Sequence, residues 1–80
     1  MATSVKKDSA SSIRSLERGL EILRAFRPGM DLLGNSDLAD KTGLSKSTIS
    51  RLTQTLVKCG FLYRDDQAKA YRLAAPVLSL

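Results

Sequence analysis

Apolar residues recur with a helical period in three stretches of the chain and with a strand-like period in two more. In residues 15–26, SLERGLEILRAF, Leu16, Leu20 and Leu23 fall at helical spacing, with Glu17, Arg18, Glu21 and Arg24 largely outside them. This predicts a first helix with Ser15 as its N-cap and Pro28-Gly29 as its stop. Ile22, Ala25 and Phe26 widen the apolar stripe. Either Phe26 simply closes the end of the core, or the helix serves the core and a second surface together. Residues 30–33 are a brief strand or an extended connector. Asn35 or Ser36 caps a second helix running to about Thr42, and Gly43 suits a left-handed turn. Ser45 caps a third helix over residues 46–59, ended at Gly60.

After Gly60 the period changes. Phe61-Leu62-Tyr63-Arg64 and Lys69-Ala70-Tyr71-Arg72-Leu73 lean to strand, and Asp65-Asp66-Gln67-Ala68 between them is polar and turn-forming. That is a hairpin. Three helices followed by a two-stranded ribbon predict a mainly α fold, a winged helix-turn-helix. Pro76 then opens a further apolar helical pattern, with proline at its first turn.

The spacing around Gly43 carries the functional signal. Ala39 is small where two helices approach closely, Gly43 makes the turn, and Leu38, Leu44, Ile49 and Leu52 bury the undersides of the helices. This is the pattern of a DNA-binding helix-turn-helix. On a wheel of the third helix, Leu52, Thr53 and Leu56 cluster with Ile49, and Ser47, Ser50, Arg51, Gln54 and Lys58 oppose them. That outer face offers hydroxyl, amide and guanidinium groups and no carboxylate. Arginine can pair with a guanine edge and glutamine with an adenine edge, while serine and threonine allow close approach to bases or phosphates. Lys46 and Thr48 lie to the sides but near the amino end, by which such helices enter the major groove. With Ser45 at the free N–H groups of the first turn, these residues form the expected DNA-reading set. Arg64 and Lys69 flank the hairpin turn and are candidates for backbone phosphates; Asp65 and Asp66 at the tip oppose deep insertion.

Charge sharpens this picture. The chain has 80 residues, 13 lysines and arginines and 8 acidic residues, a formal charge of +5. From Leu44 to Arg64 it carries Lys46, Arg51, Lys58 and Arg64 and no acidic residue. A basic block suits phosphates, or is a solvated helix face, and charge alone does not separate the two. Eighty residues make one small domain. Residues 1–14 read as a flexible polar tail, residues 15–75 as the folded unit, and residues 76–80 as the start of a further helix. With one cysteine and no histidine, neither an intrachain disulfide nor a cofactor or metal site is expected. No stretch resembles a signal peptide or a membrane span, so the cytoplasm is the expected compartment.

Three separated motifs then resemble one family. SLERGLEIL in the first helix, LADKTGLSKSTISRL around the turn and YRLAAPVLSL at the end are similar to IclR-type transcriptional regulators, over residues 15–80. The resemblance implies an amino-terminal winged helix-turn-helix, a linker helix beginning at residues 76–80, and a larger effector-binding domain beyond. It also implies dimers or tetramers on roughly palindromic double-stranded operators, repressing or activating carbon-source pathways, with a small-molecule effector held by that further domain. Carried over by position, the base readers would be Lys46, Thr48 and Arg51, with Ser47 and Ser50 beside them. The family's dimer contacts, on the first helix and the linker helix, would give the stripe with Ile22 and Phe26 a use. At Asn35, where the family often has an apolar residue, this chain has a possible cap instead.

Two other classes compete. Catalysis has little to work with: Ser4-Val5-Lys6-Lys7 matches a Ser-x-x-Lys pattern only in the polar tail, and Asp65-Asp66 reads as turn chemistry. Cys59 reads as a small packing residue. A winged-helix protein-interaction module that never touches nucleic acid is the second rival. Its surface helix would carry exposed apolar residues or mixed charges.

Overall fold

The computed structural model describes residues 13–27 and 31–75. In chain order they form α1 (Arg14–Arg24), α2 (Asn35–Thr42), α3 (Lys46–Lys58), β1 (Leu62–Asp65) and β2 (Ala70–Leu73). The expected tail up to residue 12, the Pro28-Gly29 stop and the helix start at residues 76–80 lie outside the described residues.

Ile22, Phe26, Leu38, Ile49, Leu62 and Tyr71 form the core, one from each element and Phe26 from just after α1. Leu23, Leu33, Ala39, Leu44, Leu52, Leu56 and Leu73 pack around them half-buried. In this arrangement α1 contributes its Ile22–Phe26 side to the core. Leu16 and Leu20, expected in the buried stripe, are 62% and 52% exposed. The wheel explains the change: Ile22 and Phe26, four apart, share one line down the helix, and Leu16 and Leu20 share another. Only the first line enters the buried cluster with Ile49, Leu62 and Tyr71. Helix α1 also starts one residue earlier than expected, with Ile13 rather than Ser15 at its N-cap and no side-chain cap bond. It ends at Arg24, so Phe26 closes the core from just beyond the helix.

Helix α2 is capped by Gly34, not by Asn35 or Ser36. The compensating bond comes from inside the helix, where the Asp37 carboxylate accepts the Gly34 N–H at 2.9 Å. Asn35 instead leaves its Oδ1 buried with no hydrogen-bond partner among the described residues. The turn from α2 to α3 is made at Gly43, whose φ of 78° is left-handed and costs a side-chain-bearing residue about 1–2 kcal/mol. Its N–H closes on the Ala39 carbonyl at 2.8 Å. Leu44 follows, its N–H held by Thr42 Oγ1 at 3.2 Å.

Helix α3 ends in a Schellman arrangement. The Phe61 N–H reaches the Leu56 carbonyl at 2.9 Å and the Gly60 N–H reaches Val57 at 3.0 Å, with Gly60 at φ 85°. This reversal launches the hairpin. Strands β1 and β2 pair antiparallel with Leu62 opposite Leu73, Tyr63 opposite Arg72, Arg64 opposite Tyr71 and Asp65 opposite Ala70. Asp65, expected in the turn, is the last residue of β1, and its carboxylate accepts the turn N–H of Ala68 at 3.0 Å. Leu33 adds a rudimentary third strand, exchanging two backbone hydrogen bonds with Tyr71 at 2.8 and 2.9 Å. The connector before α2 is therefore stitched to the wing. Among the described residues, no helix is long and apolar enough to cross a membrane.

Candidate nucleic-acid interface

The amino end of α3 is shaped by Ser45. Its Oγ accepts the Thr48 N–H at 3.3 Å and lies 3.0 Å from Thr48 Oγ1 and 3.4 Å from Ser47 Oγ. The Ser45 hydroxyl is thus committed to the cap. Lys46, Ser47, Arg51 and Gln54 stand exposed along the helix; Thr48 and Ser50 are half-buried. Of the expected readers, then, four are open to a partner and two sit at the edges of the face.

The underside of the same helix is locked. Ile49 and Thr53 are fully buried, which sets the rotation of α3 and hence which side chains face outward. Among the described residues the ion pairs are Arg27–Asp31 and Arg64–Asp66, and neither involves α3. Lys46, Arg51 and Lys58 therefore present uncompensated charge, and α3 contains no carboxylate of its own.

The wing differs from expectation in one respect. Lys69 is exposed at the end of the hairpin turn in a left-handed conformation, φ 54°. Arg64 is not a loose cation. Its Nε donates to Asp66 at 2.9 Å, its Nη1 donates to the Tyr71 hydroxyl at 2.9 Å, and its guanidinium lies 5.3 Å from the Tyr71 ring centre. The Asp66 carboxylate and then the Tyr71 hydroxyl hold the Arg64 pKa above the usual arginine value. On the other face of the hairpin Arg72 covers Tyr63 at 4.8 Å, a cation–π pair.

Tyr71, Thr53, Asp66 and Arg72 were not among the residues expected at the site. The expected turn at residues 65–68 would set Arg64 opposite Lys69; the observed turn at residues 66–69 shifts the register and sets Arg64 opposite Tyr71. Thr53 was assigned to the buried face, and it is buried; nothing in its spacing announced a bond to the wing.

An open groove of about 660 Å³ runs between α1 and α3. Its walls include Leu16, Leu20, Leu23, Leu52, Leu56 and Phe61, with Arg18 and Arg51 also along it. Cys59, expected to pack, is exposed at the end of α3 and borders this groove. Among the described residues, no three histidine, cysteine or carboxylate side chains gather as a metal site would need.

Three helices, a glycine turn between the second and third, an acid-free outer face and a paired wing define a winged helix-turn-helix domain. The IclR helix-turn-helix domain model matches residues 15–66, and the chain belongs to that family. It is 45% identical, over its whole length, to the HTH-type transcriptional regulator TsaQ1/TsaQ2 of Comamonas testosteroni, and covers 31% of that protein. It is 41% identical over 89% of its length to the glycerol operon regulatory protein of Streptomyces coelicolor, covering 28% of it. Among solved structures it superposes on an IclR family transcriptional regulator from Brucella abortus with a TM-score of 0.81. That match has 44% identity and covers 94% of this chain and 29% of the other. The chain thus spans under a third of the length of these relatives.

Proposed function

We propose that this domain binds double-stranded DNA sequence-specifically, with α3 in the major groove and the wing beside it, as the DNA-reading part of a transcriptional regulator. One observation carries the reading: the exposed side of α3 offers Lys46, Ser47, Arg51 and Gln54 to a partner, with no carboxylate on the helix and, among the described residues, no ion pair to its cations. A surface of that kind is costly for an apolar partner to bury and favourable for a phosphate backbone to meet. In this reading Lys46, Thr48 and Arg51 read bases. Ser47, Ser50 and Gln54 support them, Ser45 sets the first turn, and Arg64 and Lys69 meet phosphates.

The domain is a binding module rather than an enzyme and works in the cytoplasm as part of a homodimer or tetramer on a roughly palindromic site. The exposed Leu16–Leu20 line of α1 suits a self-association surface, in place of the Ile22–Phe26 line that the core occupies.

Selection of bound sequences from a random duplex pool, followed by fluorescence anisotropy at two salt concentrations, tests the reading. Binding of the selected duplex is expected to fall steeply with salt. Arg51→Ala is expected to cost about 1–3 kcal/mol on the selected site and to lower discrimination against random duplex. Absence of binding even at low salt would sink the proposal.

A further inference from the structure

The side-chain hydrogen bonds at the base of the wing join two elements that are distant in sequence. Thr53 Oγ1, fully buried in α3, lies 2.8 Å from the Ile49 carbonyl, 3.1 Å from the Ser50 carbonyl and 3.3 Å from the Tyr71 hydroxyl. One hydroxyl carries one proton. It goes to the Ile49 carbonyl, the nearest acceptor, with the Ser50 carbonyl and the Tyr71 oxygen also within its reach. The Tyr71 oxygen in turn accepts from Arg64 Nη1 at 2.9 Å. Arg64, Tyr71 and Thr53 thus form a hydrogen-bonded chain in which the Tyr71 oxygen faces one donor on the wing and one on α3.

The two ends of the chain differ in kind. Thr53 and Tyr71 are 0% and 4% exposed, whereas the Arg64 side chain is 40% exposed. Of its five N–H groups, one goes to Asp66 and one to Tyr71, and no described residue binds the rest. The buried hydroxyls add nothing to a partner directly. What they do is fix where an exposed cation stands relative to the helix that carries Ser50 and Arg51.

We propose that Tyr71 and Thr53 are positioning residues for DNA binding: they hold the Arg64 guanidinium in register with α3, so that one duplex meets the wing and the recognition helix together. The proposal rests on the duplex-binding reading above. It makes the wing contact depend on a tyrosine and a threonine that never touch DNA.

A double-mutant cycle on the selected duplex tests this. Arg64→Ala is expected to weaken binding about tenfold and to reduce the slope of log affinity against log salt by about 0.9, one phosphate contact. Tyr71→Phe keeps the ring in the core and removes only the hydroxyl. It is expected to weaken binding several-fold in the native background, and by less than about twofold once Arg64 is already alanine. Thr53→Val is expected to behave alike, and it provides the cycle if Tyr71→Phe does not fold. A purely structural hydroxyl would carry the same loss into both backgrounds. That result, or no loss in either, overturns the proposal, as does an Arg64→Ala variant that binds unchanged. Failure of the unsubstituted chain to bind duplex at low salt would instead overturn the DNA reading itself, and the positioning roles with it.

Discussion

Asp66 and Arg64 show how little a single surface pair says by its distance alone. The contact is short, 2.9 Å, yet the carboxylate is 89% exposed, and such pairs add little to folding stability. Its weight falls on binding instead. A carboxylate beside a phosphate-seeking cation opposes the approach of a polyanion and occupies one of the donors. Asp66→Asn is therefore expected to leave the thermal midpoint nearly unchanged and to tighten duplex binding several-fold at low salt, a gain that shrinks as salt screens it. Anisotropy titrations across a salt series measure this. Equal affinities for both proteins at every salt would show that Asp66 has no bearing on the wing's charge.

At the scale of elements, α1 shows where sequence reading succeeds and where it stops. Its existence, polarity and approximate length follow from periodicity. The line it buries does not, because Leu16/Leu20 and Ile22/Phe26 are both plausible stripes on an isolated helix. Tertiary packing chose the second. Truncation separates the two lines: Ile22→Ala is expected to cost about 2–5 kcal/mol, whereas Leu16→Ala should cost less than about 1 kcal/mol in the isolated domain. Denaturant midpoints of the two variants give the comparison, and similar losses would return Leu16 to the core. The turn and α3 were more legible. Gly43, Ser45 and Gly60 perform local backbone tasks that few other residues can, so their roles are written in residue type. The outward set on α3 followed from burying Ile49. The wing network was not legible in the same way, because the Thr53–Tyr71 contact spans 18 residues and depends on how the hairpin lies against the helix. The cap of α2 was misassigned for a related reason: Asn35 and Ser36 are both capable capping residues, yet the helix begins one position earlier at Gly34, whose N–H is met by Asp37 from the first turn.

For the molecule as a whole, the absence of histidine has a direct consequence. No side chain in the sequence has an ordinary pKa between about 5 and 8, so duplex affinity is expected to vary little across that window. Stability behaves differently in acid. The Arg27 side chain, by hydrogen bonding, holds the Asp31 carboxyl below its ordinary value, with the Arg27 backbone N–H adding to this. A depressed carboxylate contributes stability that is present above its unfolded pKa and is lost as pH falls through the folded value. Thermal midpoints should accordingly be flat near neutrality and begin to decline below about pH 4. A transition near pH 6 would contradict this account.

The lack of ion pairs on α3 also bears on how fast a target is found. Among the described residues, Lys46, Arg51 and Lys58 have no carboxylate to release before they engage a phosphate. Encounter therefore needs no side-chain exchange at the recognition helix, and the rate-setting step there is the diffusional collision, hastened by attraction at long range. Discrimination is left to residence time: any duplex is captured quickly, and only the right one is kept.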